Sequence, residues 1–201
     1  MNSQENRLRD FLASSDKKVI ELGCGPNKKN GVFGIDGLDL PGVDYVFNLE
    51  QGLPFLPDNS IDHIISRHFL EHIENFDGLL KDIHRVLKPS GLKEVYVPHF
   101  SNPYYYSDPT HKRFFGLYTF DYYSQGHPRY KRRVPSFYGL NQFEVLERKL
   151  VFRSPFFGRN VIKRLAHKFY NLTPYLQEFY EENHCYFIPC QELKFILRPK
   201  K

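Results

Sequence analysis

The sequence predicts an α/β protein built on a mostly parallel, doubly wound sheet. A short apolar run, Lys17 to Leu22, is halted by Gly23-Cys24-Gly25-Pro26 and reads as a buried strand ending in a tight loop. Residues 76–87 read as an amphipathic helix, with Phe76, Leu79, Leu80, Ile83, Val86 and Leu87 on one face. Segments of these two kinds alternate, which is the pattern of strands joined by crossover helices.

Along the chain, residues 6–14 form a short helix, with Leu8, Phe11 and Leu12 at helical spacing. After the first strand come Val32–Asp36, Asp44–Phe47 and Ile61–Ser66. The long helix follows, with Asn75 able to cap it and Lys88-Pro89-Ser90-Gly91 to stop it. Leu92–Val97 is a fifth strand, and a turn-rich stretch then runs from Pro98 to Gly139. Gln142–Phe152 and Glu192–Leu197 are two more strands, and residues 159–182 between them are mainly helical, with Pro174 starting a second helix. Residues 25–32 and 36–43 are too short for complete helical crossovers. Either they are loops or one-turn helices, or the strands there are misplaced.

A chain of 201 residues fits one domain, 1–201, with a first half at 17–98 and a second at 99–201. Its 41% hydrophobic content argues against disorder. There is no run of eighteen apolar residues, and the start lacks a signal peptide's apolar stretch, so a cytoplasmic protein without membrane insertion is expected. Cys24, Cys185 and Cys190 form no C-x-x-C pair, which suits a reducing compartment. The net charge of +5 includes a basic cluster from His127 to Arg133, which suits an anionic ligand or a solvated loop. Oligomeric state is not legible.

The first constellation with chemical content is Glu21-Leu22-Gly23-Cys24-Gly25 at one strand end and Asp36 at the next. Glycines let backbone approach a ligand, and a carboxylate at the second strand end can accept from both ribose hydroxyls. The full G-x-G-x-x-G phosphate fingerprint is absent and Pro26 removes an N–H, so a nucleoside without pyrophosphate fits better than NAD.

Further on stand Asn48-Leu49-Glu50, Leu53-Pro54-Phe55, Asp58-Asn59-Ser60-Ile61-Asp62, Ser66-Arg67-His68-Phe69-Leu70-Glu71-His72 and Val86-Leu87-Lys88-Pro89-Ser90-Gly91. Together with Glu-Leu-Gly-Cys-Gly and Asp36, this ordered set from Val19 to Val97 resembles the class I S-adenosylmethionine-dependent methyltransferases, particularly the type 11-like small-molecule and glycan branch. The resemblance implies a Rossmann-like sheet with an antiparallel last strand, supplied by Glu192–Leu197, and S-adenosyl-L-methionine as cofactor. It implies that the turn of Glu21, Gly23, Cys24 and Gly25 cradles the methionine part and that Asp36 holds the ribose. Asn48 and Leu49 would flank the adenine, and Ser66, Arg67 and His68 would lie beside the sulfonium and the acceptor. The sequence departs from the family where Asn27 replaces a third glycine and where the helix after the first motif is nearly absent.

The segment Ser107-Asp108-Pro109-Thr110-His111-Lys112-Arg113-Phe114-Phe115 resembles a motif of bacterial members that modify surface glycans and sugars. It follows the fifth strand, where substrate lids belong, and reads equally as a helix start capped by Asp108. Tyr104, Tyr105 and Tyr106 can wall a substrate, with Asp108, Lys112 and Arg113 supplying polar contacts. A hydroxyl acceptor needs a base, for which His111 leads, ahead of His99 and His68. His68-Phe69-Leu70-Glu71-His72 also spells the H-x-x-E-H of inverted zinc peptidases, yet the methyltransferase context explains it better and no metal is expected. The expected function is methyl transfer to a small molecule or glycan, at oxygen. A nucleic-acid methyltransferase is disfavoured because Ser66-Arg67-His68-Phe69 stands where an Asn-Pro-Pro-Tyr-type tetrapeptide would. A non-catalytic S-adenosylmethionine-binding protein is the third class.

Overall fold

The computed structural model describes residues 3–124, 130–135 and 142–201. A seven-stranded sheet runs in the order β3-β2-β1-β4-β5-β7-β6. Its strands are β1 Val19–Leu22, β2 Phe33–Asp36, β3 Tyr45–Val46, β4 Ile61–Arg67, β5 Leu87–Pro98, β6 Phe143–Val151 and β7 Glu192–Pro199. β1 to β5 pair in parallel, and β7 lies antiparallel between β5 and β6. The helices are α1 Ser3–Ala13, α2 Phe76–Val86, α3 Phe157–Tyr170 and α4 Pro174–Asn183. The α/β sheet with an antiparallel last strand is as the sequence predicts.

The short crossovers are loops, and the strands around them are real. Side chains do the work that helices would otherwise do. Arg67 Nη2 donates to Asn27 O at 3.3 Å, and Lys29 N donates to Glu21 at 3.2 Å. Lys28 pairs with Asp44, whose carboxylate also accepts Gly34 N at 2.7 Å. At the sheet's margin, Val46 N donates to Gln4 of α1, and the Phe11 ring stacks on Phe33 with centroids 4.5 Å apart.

α2 buries Phe76, Leu79, Leu80, Ile83 and Val86. Each such side chain taken from water contributes about 1.5–3 kcal/mol. Asn75 holds the cap position but makes no side-chain cap bond. Glu50 acts instead, its carboxylate accepting the N–H groups of Glu74 and Asn75, both at 2.8 Å, where the helix dipole favours negative charge. The helix ends at Val86, yet Lys88-Pro89-Ser90-Gly91 is no separate turn. The chain enters β5 at Leu87 beside Ile61, and the irregular register between Ile61 and His63 absorbs the proline. α4 starts as its sequence suggests, with Pro174 in the first turn and Thr173 Oγ1 accepting Leu176 N at 3.2 Å. In the basic cluster, His127, Pro128 and Arg129 lie outside the described residues. No described helix is long and apolar enough to cross a membrane.

Candidate cofactor and acceptor site

β1 is the point at which the strand order reverses, with β2 on one side and β4 on the other. In parallel sheets the crevice beyond the strand ends at that point is where ligands settle. Three chain segments meet there. Gly23 and Gly25 leave β1 with φ of +63° and +54°, left-handed values that favour glycine. Asp36, ending β2, accepts Gly25 N at 2.9 Å on Oδ2 and Leu38 N at 3.0 Å on Oδ1. A carboxylate has about four acceptor sites, so capacity for two hydroxyls remains. A Cβ at Gly25 would meet nothing within 4 Å, whereas one at Gly23 would strike the Phe69 ring at 2.2 Å. The turn is therefore open over Gly25 and walled by Phe69 beside Gly23.

The other motif residues are arranged behind this opening. Glu21 is buried, and its Oε1 accepts Arg67 Nε at 2.8 Å and Nη2 at 2.6 Å. Arg67 thus ties the end of β4 to the loop after β1. Cys24 packs against Gly34, and burial pushes its thiol up to about 11, helped by Asp36 and Glu21. Asn48 Oδ1 accepts Glu50 N at 3.1 Å, and Leu49 is buried, so it turns its side chain into the core. Ser66 is fully buried and accepts from Lys93 Nζ at 2.6 Å.

Lys93 was invisible as a site neighbour in the sequence, where it stands beside Glu94 as one of the charged residues of that strand. Complete burial holds its amine well below the usual 10.5, against the opposing pull of Glu21 and Glu94. Between its lowered folded value and 10.5 the unfolded chain therefore binds a proton that the folded chain releases, and stability rises with pH through that window. Lys93→Met is expected to raise the melting temperature at pH 7, with the advantage shrinking as pH nears 10.5. Thermal unfolding across that range checks this; a difference independent of pH would refute it.

At the end of β4, His68 takes a left-handed φ of 48° and faces two carboxylates. Its Nε2 lies 2.9 Å from Glu192 on β7, and its Nδ1 lies 3.5 Å from Glu71. Those contacts, Glu192 first, push the imidazole up to about 9. Leu70–His72 is a 3-10 turn rather than an α-helix, so H-x-x-E-H lacks the shared helical face that the peptidase reading needs. Glu192 was missed because its partner lies 124 residues away.

Residues 108–114 are not a helix start. Asp108 Oδ1 accepts Thr110 N at 2.8 Å and Thr110 Oγ1 at 2.6 Å, which closes a turn. The segment is laced to the turn after β4: Lys112 N donates to Glu71 O at 2.7 Å, and Arg113 Nε donates to Ile73 O at 3.0 Å. Lys112 Nζ pairs with Glu74 at 2.5 Å. His111 lands beside His72, ring centroids 4.9 Å apart, and donates Nδ1–H to Tyr105 O at 2.9 Å. Its Nε2 lies 3.7 Å from Asp108. The three tyrosines do not form one wall. Tyr105 is buried against His111, while Tyr104 and Tyr106 are exposed. His99 is fully buried, with Nδ1 accepting Ser101 N at 3.0 Å and Nε2 at 3.1 Å from Glu181. A cavity of about 620 Å³, lined by Phe76, Asp77, Lys112, Phe114, Phe115 and Tyr123 among others, borders the segment.

A crevice at the reversal of strand order, two left-handed glycines and a facing carboxylate fit a nucleoside-bearing ligand that lacks a pyrophosphate. This fold and strand order are those of a class I methyltransferase. A family model described as a methyltransferase domain matches residues 4–197, and the chain belongs to that family, whose cofactor is S-adenosylmethionine. The ubiquinone/menaquinone biosynthesis C-methyltransferase UbiE of Escherichia coli O1:K1 / APEC is 33% identical over 92 residues, or 46% of this chain. The chain spans about one third (33%) of the length of the curated relatives it matches. Among solved structures, the Haloferax volcanii methyltransferase determined with the activator Trm112 superposes with a TM-score of 0.54 at 16% identity, covering 98% of this chain and 91% of that one. A SAM-dependent methyltransferase from Archaeoglobus fulgidus gives 0.51 at 18% identity, covering 98% and 95%. At these identities the solved structures speak for the fold.

Proposed function

We propose that this chain transfers a methyl group from S-adenosylmethionine to an oxygen of a small-molecule or glycan acceptor. The observation that carries the reading is the Gly23–Gly25 turn held open against Asp36, with Gly25 N bonded to the Asp36 carboxylate at 2.9 Å. Asp36 would accept the ribose hydroxyls, backbone around Gly23 and Gly25 would hold the methionine part, and Asn48 with the Leu49 backbone would flank the adenine. When bound, S-adenosylmethionine supplies an electrophilic methyl on a sulfonium. The protein's part is to align the acceptor and exclude water, which can be worth roughly 7–11 kcal/mol.

Among the three candidate histidines, His111 suits the acceptor hydroxyl. His68 has a carboxylate at each ring nitrogen and is held as an imidazolium, a poor base. His99 has no exposed surface, and both its nitrogens are engaged. His111 Nδ1 donates to a carbonyl, so the neutral form of the ring has its lone pair on Nε2. The bordering cavity, walled by aromatic rings with Asp77, Lys112, Arg113 and Thr119 among its polar groups, suits a sugar or another ring compound. The carbon acceptor in the Escherichia coli relative's name is not carried over on 46% coverage. The nucleic-acid reading loses support because Glu178 accepts the backbone N–H groups of Lys131 and Arg132, which places a negative charge inside the described part of the basic cluster.

Calorimetry tests the cofactor part. S-adenosylmethionine and S-adenosylhomocysteine should bind and NAD should not. Asp36→Ala should weaken binding by about 1–3 kcal/mol, the scale of lost charge-assisted hydrogen bonds. An unchanged dissociation constant in a folded Asp36→Ala chain would remove Asp36 from the ribose.

A further inference from the structure

We infer that Glu71, His72 and His111 form a binding site for a divalent transition-metal cation that holds and polarises the acceptor hydroxyl. One ligand atom from each of the three lies within 4.8 Å of the others. Glu71 is the feature that asks for an explanation. It is fully buried, and among the described residues neither of its carboxylate oxygens accepts a hydrogen bond. His68 Nδ1, at 3.5 Å, is too far to satisfy it. The carboxylate thus has one long ion pair, to the His68 imidazolium, and no hydrogen bond, and a buried carboxylate so thinly served is costly unless a second cation bonds to it directly.

Both imidazoles are prepared as ligands. His111 Nδ1 lies 2.9 Å from Tyr105 O, an acceptor only, so Nδ1 carries a hydrogen and, in the neutral ring, Nε2 the lone pair. His72 Nδ1 lies 2.9 Å from Thr110 Oγ1, whose own proton goes to Asp108 Oδ1 at 2.6 Å. The hydroxyl therefore accepts from His72, and in the neutral ring Nε2 is the atom with the lone pair. Metal-binding histidines are fixed in this way, the far nitrogen donating to a second protein group. The Lys112 N to Glu71 O bond, 2.7 Å long, locks the backbone beside His111 to that of Glu71. Metal–ligand bonds of about 2.0–2.2 Å put ligand atoms roughly 3–3.5 Å apart, so side-chain rotation must close about 1.5 Å.

Two imidazoles and one carboxylate suit first-row transition metals rather than calcium. Three protein ligands leave positions open, as in catalytic rather than structural sites. A hydroxyl bound there loses its proton to water more readily while its electron pair stays on oxygen, and no redox change is involved. Two adjacent open positions would take the neighbouring hydroxyls of a sugar. The expectation of a metal-free chain weighed only the H-x-x-E-H string, and His111 lies outside that string. Cation binding stands independently of methyl transfer; its role toward the acceptor rests on the methyltransferase reading, with His111 then serving the hydroxyl through the cation and not as the direct base.

The test uses the full chain, purified without an affinity tag, stripped with chelator and titrated with Co²⁺ alone by calorimetry and visible absorption. One Co²⁺ per chain is expected, bound at about 10 µM or tighter. Affinity should fall at least about ten-fold in His111→Gln and in His72→Gln, each checked for an unchanged melting curve. No saturable binding below about 1 mM, or one site indifferent to both substitutions, overturns the inference. Should either variant fail to fold, proton NMR of the wild-type Co²⁺ form decides. Two strongly shifted, exchangeable imidazole N–H signals support the site, and their absence from a loaded chain refutes it. S-adenosylhomocysteine binding to the stripped chain is measured separately, so failure of the cofactor reading and failure of the metal site are told apart.

Discussion

Replacing His111 by alanine is expected to lower turnover by about a hundred-fold or more, the usual cost of losing a positioned acid–base or polarising group. Affinity for S-adenosylhomocysteine should stay nearly unchanged. The separation is positional: the proposed cofactor contacts lie at the ends of β1 and β2 and just after β3, whereas His111 sits on the segment after β5. The variant should also fold, because His111 contributes one bond to Tyr105 O and a ring contact at 4.5 Å to Tyr105. A screen of nucleotide sugars and glycans must first supply an acceptor. Normal turnover by a folded His111→Ala chain would remove His111 from the acceptor site. If the cation does the polarising, chelator should abolish wild-type turnover as completely as the substitution does.

Asp121→Ala is expected to destabilise the fold strongly. Asp121 and Arg148 form an ion pair with each side chain only 3% exposed. Arg148 Nη1 also donates to Leu117 O at 2.6 Å, and its guanidinium lies 4.3 Å from the Tyr130 ring centroid. Removing the carboxylate strands a buried guanidinium, at a cost of about 3–5 kcal/mol. In a chain of this size that corresponds to a fall in melting temperature of about 10 °C. Calorimetric scans of the two proteins at pH 7 check it, and a shift of only a degree or two would mean that water reaches Arg148. Asp121 joins the segment after β5 to β6, so cofactor affinity at the other side of the sheet should be spared.

Sequence periodicity located what depends on neighbours in the chain. The apolar run before Gly23 and the one-faced pattern of α2 are local signals, and both elements stand where those signals put them. The antiparallel β7 was legible only through family resemblance. The missing information is long-range. Glu50, not Asn75, caps α2, because a loop 25 residues earlier folds back onto the helix start. The loop crossovers hold without helices because Arg67 reaches Asn27 across 40 residues. At the candidate site, Gly23, Gly25 and Asp36 could be picked out by residue type. The pairing of His68 with Glu192 and the meeting of His111 with Glu71 and His72 could not. Those depend on how the segment after β5 lies over the turn after β4, which no spacing rule encodes.

The contact between Gln4 and Val46 has a consequence beyond catalysis. A strand at the margin of a sheet presents unpaired N–H and C=O groups on which another chain can build. Here one margin is β3, two residues long, with Val46 N already taken by Gln4 Oε1 at 3.2 Å. The opposite margin, β6, carries Glu144, Glu147 and Lys149 along its length and is bridged near its start by Ser124 to Phe143. Charge and brevity thus close the two borders by different means. Strand addition by a second molecule, the first step toward ordered aggregation, is discouraged at both.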